Sequence, residues 1–123
     1  MSNRSPLDLS SDMKDAYFNW ADMMKAAGIE FILTCTRRTQ AEQAALFAQG
    51  RTAPGHIVTW TLNSKHLLGD AFDFVIMVYG KPDWNMIYKA QWDKAVEFGK
   101  ELGLTQVVGK DGSVKEFAHL QMG

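Results

Sequence analysis

The sequence predicts an α+β fold, a small antiparallel sheet with helices packed against it, formed by one domain over residues 1–123. Three observations lead there. Apolar residues recur at three- and four-residue spacing over residues 13–27 and again over 88–102, which is helix periodicity. The run Ala71–Val78 is short, apolar and rich in β-branched and aromatic residues, which marks a central strand. Leu104–Val108 and Ser113–Met122 flank the turn residues Gly109-Lys110-Asp111-Gly112 and read as an antiparallel pair.

Taken in order, the first helix starts near Ser10 or Ser11, either of which can cap it, and stops at Gly28. Its stripe of Met13, Ala16, Tyr17, Trp20, Met23, Met24 and Ala27 is a core face. Ile29–Cys35 reads as a buried strand. Thr39-Gln40-Ala41-Glu42 has capping-box spacing, so a second helix starts there and runs to Gly50. Pro54-Gly55 marks a loop, with His56 exposed on it, and Ile57–Leu62 is a short strand or an extended segment. After the turn-rich Tyr79–Asp83, a third helix spans about Asn85 to Leu102, its inner stripe formed by Tyr88, Trp92, Ala95, Val96, Phe98, Gly99 and Leu102.

Composition limits the function. A formal net charge of -1 lacks the basic excess that phosphate binding brings, which argues against a nucleic-acid partner. No apolar run reaches the ~20 residues needed to span a bilayer, so membrane insertion is not expected. The N-terminal segment lacks an apolar h-region, so the expectation is cytoplasmic synthesis without a signal peptide. The single cysteine, Cys35, excludes an internal disulfide and any multi-cysteine zinc cluster, and its apolar setting reads as an inert core thiol.

The chemistry concentrates in Ser64-Lys65-His66-Leu67-Leu68-Gly69-Asp70-Ala71-Phe72-Asp73. A turn at Gly69, where φ > 0 is free of steric cost, folds His66 back toward Asp73. Asp73 lies on the predicted central strand among apolar neighbours, where an unpartnered carboxylate is costly and calls for a cation or several donors. His119 supplies a third donor from far along the chain. Two His and one Asp form a three-ligand zinc site with one position open, and Glu116, three residues before His119, is the candidate base. Regular strand alternation would point Glu116 and His119 to opposite faces, so Glu116 needs a turn or an irregular strand start to reach the same site. Arg37 and Arg38 occupy a strand-to-helix junction, a frequent place for substrate-binding side chains, though solvated surface charge is equally consistent with the position.

These residues carry a resemblance. Ser64, His66, Gly69, Ala71 and Asp73, followed by Glu116 and His119, match the pattern S-x-H-x-x-G-x-A-x-D with a later carboxylate-x-x-His. Arg38-Thr39 with Glu42-Gln43, and Ala48–Thr52 with Pro54-Gly55, resemble the entry segment of the same group. The chain therefore resembles the VanY-like zinc peptidases, the D-Ala-D-Ala carboxypeptidase and L-alanyl-D-glutamate endopeptidase family with its phage endolysins, over about residues 29 to 121. It departs at Val107–Asp111, where that branch often has a Trp-Gly-Gly-Asp-Trp-like stretch, and at Ala118-His119-Leu120, where it often has Pro-His-Phe.

The resemblance implies the hedgehog/D-Ala-D-Ala peptidase fold, with Zn2+ as cofactor and His66, Asp73 and His119 as its ligands. It implies Glu116 as general base and acid. Arg38 binds a substrate carboxylate or stabilises the oxyanion, and Ser64 supports the site or touches substrate. Ser64 has no serine-hydrolase setting and is not an acyl-enzyme nucleophile. The implied partner is the bacterial peptidoglycan stem peptide, cut at L-Ala-D-Glu by a monomer that acts on the cell wall after release through a holin-type pore. Two other readings stay open: a D-Ala-D-Ala carboxypeptidase or dipeptidase, and a non-catalytic zinc-binding module that recognises the wall.

Overall fold

The computed structural model describes residues 4–57, 65–108 and 114–122, with the backbone alone at 107–108 and 114–117. After a single 3-10 turn at Pro6–Asp8 come α1 (Ser11–Ala26), β1 (Glu30–Cys35) and α2 (Gln40–Ala48). A second 3-10 turn, Lys65–Leu68, leads into β2 (Ala71–Val78) and the short β3 (Lys81–Pro82). α3 (Lys89–Glu101), β4 (Leu104–Val108) and β5 (Val114–Met122) complete the order. The strands make one antiparallel sheet in the order β1-β2-β5-β4, with β3 paired to the end of β2. The α+β expectation holds. Ser64, most of Ile57–Leu62 and the turn at Gly109–Gly112 lie outside the described residues.

Strand alternation gives the sheet two different faces. Phe72 and Phe74 point to the helices, where Trp20 of α1 meets Phe31, Phe72 and Phe74 at ring-centroid distances of 4.6, 4.9 and 5.1 Å. The buried Trp20 indole N–H donates to the Ala95 carbonyl at 2.8 Å, joining α1 to α3 and satisfying the one polar atom of the ring. Trp92 of α3 packs on Phe74 at 5.5 Å. Gly99 lets α3 come close, because a Cβ there would sit 2.9 Å from Leu120 Cδ1. The opposite face of β2 carries Asp73.

Local signals set most element ends. Ser10 caps α1 by accepting from the Met13 amide, and Thr39 with Glu42 forms the expected capping box on α2. Three expectations need correction. β1 is an edge strand with alternating exposure, Ile32 being 46% exposed, so it is half-buried rather than buried. α2 ends at Ala48, with Gly50 beyond it at φ +79°.

α3 starts at Lys89 rather than near Asn85, because Asp83 organises the preceding residues differently. Its carboxylate accepts from the Ile87 and Tyr88 amides and from the Trp92 indole, holding residues 83–88 as a turn in which Met86 adopts φ +54°. Tyr88 becomes the cap residue, 40% exposed, instead of a core position. Tyr79 and Gly80, at φ +52° and +74°, form the two-residue turn between β2 and β3, where Val78 pairs with Lys81. The left-handed conformation costs a non-glycine residue about 1–2 kcal/mol.

Burial pushes the Asp83 carboxyl up, but the Tyr88 and Ile87 amides and the Trp92 indole outweigh it and hold its pKa below the ordinary 3.8. A lowered carboxylate pKa stabilises the fold above that ordinary value, and the contribution disappears as pH falls through the lower, folded-state value. Asp83→Ala is therefore expected to lower Tm by several degrees at neutral pH, with the gap to the parent narrowing in strong acid, as followed by circular dichroism melts.

Candidate metal centre

Three elements bring the predicted donors together, and a fourth adds Cys35. β2 and β5 pair Asp73 directly with His119, and β1 places Cys35 opposite Asp73 on its other side. That last pairing depends on a bulge: the register shifts between Leu33 and Cys35, where an unbroken ladder would have set Thr34 against Asp73. The shift turns Cys35 onto the Asp73 face, away from the helices. His66 arrives from the Lys65–Leu68 turn, closed as expected by Gly69 at φ +73°. Gly69 is also required sterically, since a Cβ there would lie 2.9 Å from the Ser10 amide nitrogen.

The donor atoms converge. His66 Nε2 lies 3.0 Å from Asp73 Oδ1 and 3.2 Å from His119 Nδ1, and His119 Nδ1 lies 2.8 Å from Asp73 Oδ1. Both imidazoles are buried. Their far nitrogens are committed: His66 Nδ1 sits 2.9 Å from the Thr36 carbonyl oxygen, and His119 Nε2 sits 2.9 Å from Gln121 Oε1. Each of those oxygens only accepts, so each far nitrogen carries a proton and each near nitrogen turns its lone pair on the same point. Three electron-rich atoms in mutual contact repel unless a cation lies among them. Tetrahedral zinc with bonds near 2.0–2.1 Å separates its ligands by about 3.3 Å, close to these spacings, so the residues fit the ion.

Burial pulls the His66 pKa down, but its contacts with Asp73 and Cys35 overcome this and lift it to about 10. Burial pushes Asp73 up, yet His119 and His66 hold its carboxyl far below the usual carboxylate range. Its second oxygen faces Arg38, whose Nη2 is 3.7 Å away. Arg38 is fixed from behind: Nη1 donates to Gln43 Oε1 at 2.6 Å, and Nη2 lies 3.3 Å from Cys35 Sγ.

Cys35 therefore belongs to the site's surroundings rather than to a remote core. Burial raises its thiol pKa, and the neighbouring His66 and Arg38 bring it below its usual value. Cys35, His66 and Asp73 offer ligand atoms within 4.8 Å of one another. The thiol, however, faces His66 Nδ1 at 3.6 Å, the opposite side of the ring from Asp73. One ion cannot use both ring nitrogens, so His119 completes the convergent set better than Cys35.

The backbone of Glu116 pairs with Val107, in the place a ladder continued from Thr105–Gln121 would give to His119. The β4–β5 ladder is thus irregular between Glu116 and Gln121, a span that includes His119. The Glu116 side chain and Ser64 lie outside the described residues. Arg37 and His56 are exposed. Thr36, Gln43 and Gln121 had no role assigned from sequence. Gln121 was detectable, since it follows His119 by two and shares its strand face, whereas the Thr36 carbonyl and Gln43 contacts depend on tertiary approach.

No family model matches the chain. The fold resembles the crystal structure of Serratia marcescens L-Ala D-Glu endopeptidase ChiX, with TM-score 0.69, 24% identity, and coverage of 100% of this chain and 89% of that one. It also resembles a variant of the D,D-pentapeptidase VanY from a VanB-type cassette in complex with Zn(II), with TM-score 0.58, 17% identity, and 99% and 79% coverage. These likenesses define the class of fold, that shared by ChiX and VanY. In sequence the chain is 34% identical over 129 residues to the peptidoglycan L-alanyl-D-glutamate endopeptidase CwlK of Bacillus subtilis (strain 168), covering 94% of this chain and 77% of that protein. It is 38% identical over 85 residues to the L-alanyl-D-glutamate peptidase of Escherichia phage T5, covering 67% of this chain and 58% of that protein. The chain belongs to the L-alanyl-D-glutamate endopeptidase family of peptidoglycan hydrolases. Among the described residues no helix is long and apolar enough to cross a membrane.

Gln43 is fully buried beneath the guanidinium. Removing its carboxamide by Gln43→Ala takes a hydrogen bond from a buried charged group, which is expected to cost about 1–3 kcal/mol in urea unfolding. An unchanged midpoint and slope would show that Arg38 does not depend on it.

Proposed function

We propose that this chain hydrolyses the amide between L-alanine and D-glutamate in peptidoglycan stem peptides, with zinc held by His66, Asp73 and His119. The observation that carries the proposal is the convergence of His66 Nε2, Asp73 Oδ1 and His119 Nδ1, with Thr36 and Gln121 committing the opposite ring nitrogens. The bond preference is supported by the names of the two relatives, both L-alanyl-D-glutamate peptidases. Zinc, when bound, supplies Lewis-acid polarisation of the scissile carbonyl and acidifies the attacking water toward neutral pH.

The chain's own residues do the rest. Glu116 takes the proton from the water and delivers it to the departing D-glutamate nitrogen. The broken ladder between Glu116 and Gln121 supports this assignment, because it frees the carboxylate from the opposite-face orientation of a regular strand. Arg38 holds positive charge beside Asp73 and stabilises the oxyanion that develops as the carbonyl becomes tetrahedral. Gln43 and Cys35 limit the guanidinium to one orientation, so little reorganisation is needed during the reaction. Ser64 contacts substrate or supports the His66 turn.

Four measurements test the assignment. Dialysis against a chelator is expected to abolish hydrolysis of purified peptidoglycan and to lower Tm, with one equivalent of zinc restoring both. His119→Ala would fail to take up that equivalent, and full uptake by the variant would remove His119 from the ligand set. Glu116→Gln should keep the zinc stoichiometry and lose about 10²-fold or more in kcat. Mass spectrometry of the fragments identifies the bond cut: a new D-glutamate amino terminus supports the proposal, and release of D-alanine replaces it with carboxypeptidase action.

A further inference from the structure

We infer that the depression between the β2–β3 turn and the start of α3 is a saccharide subsite that takes the sugar backbone of peptidoglycan. The inference rests on the function proposed above and adds the second component of the same polymer. Tyr79 is the first observation. It is 91% exposed, and it stands at the first position of a two-residue turn with both residues at positive φ. Asn-Gly is the sequence that such a turn favours. An unburied ring on a strained backbone adds nothing to the core, and an observed backbone outlier of this kind points to a binding role.

The surroundings specify the ligand. Tyr79 and Tyr88 line a depression of about 350 Å³, joined by Glu30 from β1 and Gln91 from α3. Tyrosine faces stack on the C–H faces of pyranose rings, the carboxylate accepts from hydroxyl or acetamido groups, and the carboxamide both donates and accepts. Its described lining contains no Lys or Arg, so it offers a phosphate group no positive charge. Trp84 and Ile87, on the connection that leads to Tyr88, are 59% and 75% exposed. An exposed apolar patch also suits a protein partner, but a depression walled by Glu30 and Gln91 matches a neutral, hydroxyl-rich chain better.

The position also fits. Tyr79 follows the last residue of β2, about 20 Å from Asp73 at roughly 3.4 Å per residue. The L-alanine of a stem peptide is attached directly to the glycan, so a strand whose peptide is being cut at Asp73 needs only a few sugar rings to reach Tyr79. The subsite would thus hold the polymer while the metal centre works on its side branch.

The test uses the full chain and the peptide-free N-acetylglucosamine tetramer as probe, with binding followed by NMR titration. The wild type is expected to bind with shifts at Tyr79, Tyr88 and Gln91. Tyr79→Asn should weaken binding by about tenfold or more while Tm stays level or rises, because asparagine suits the turn. The same variant should cut a short synthetic peptide containing L-Ala-D-Glu at the parental kcat/KM and lose rate only on intact sacculi. Tyr88→Ala gives an independent loss from the facing wall. Absence of tetramer binding by the wild type would overturn the subsite. So would equal binding by Tyr79→Asn, or concentration-dependent self-association through Tyr79 with no effect of the tetramer. Tetramer binding by a wild type that fails to cut the peptide would keep the subsite and reject the peptidase reading. Peptide cleavage without tetramer binding would do the reverse.

Discussion

The Asp73 carboxylate, enclosed by two imidazoles and a guanidinium, is the interaction on which the remaining architecture depends. A carboxylate on a central strand loses most of its hydration, a cost that only positive charge or several donors can offset. Here one oxygen faces His66 and His119 and the other faces Arg38. Each partner is held in turn by a neutral group: Thr36 for His66, Gln121 for His119 and Gln43 for Arg38. The site is therefore a nested set of hydrogen bonds in which the innermost group is the most negative. A cation at its focus would complete the charge pattern.

The sheet separates this polar nest from the hydrophobic core by alternation alone. Phe72 and Phe74 anchor β2 to the tryptophans of α1 and α3, and Asp73 between them must then face the other way. Rigid aromatic packing on one side thus fixes the carboxylate on the other without any contact between them. The bulge before Cys35 and the irregular ladder on β5 are local departures from this regularity, and both occur beside the site. They supply orientations that a strict two-residue period forbids.

Much of this was legible in the sequence. Ser10, Thr39 with Glu42, and Gly69 encode their local geometry through chemistry within a few residues of themselves, and the structure follows them. His66, Asp73 and His119 were recognisable because few residue types serve as donors, and because a carboxylate within an apolar strand needs explanation. What stayed hidden depends on approach between distant segments. Cys35 read as an inert core thiol because its apolar neighbours are visible in sequence, whereas the bulge and the arrival of His66 are not. Residues 85–88 carried helical periodicity, yet Asp83 captured their amides first, a competition that pattern alone does not resolve.

The segment that bears His66 is tied to both early and late parts of the sequence. The Ser10 amide donates to the Gly69 carbonyl and the Ser10 hydroxyl to Asp70, while the Met122 amide donates to the Asp70 carbonyl and Lys65 Nζ to the Met122 carbonyl. His119 itself belongs to the last strand. A polypeptide still emerging from the ribosome as far as α3 holds His66, Asp73 and the Ser10 contacts, but lacks His119 and both Met122 contacts. Convergence of the three side chains is complete only when β5 has joined the sheet.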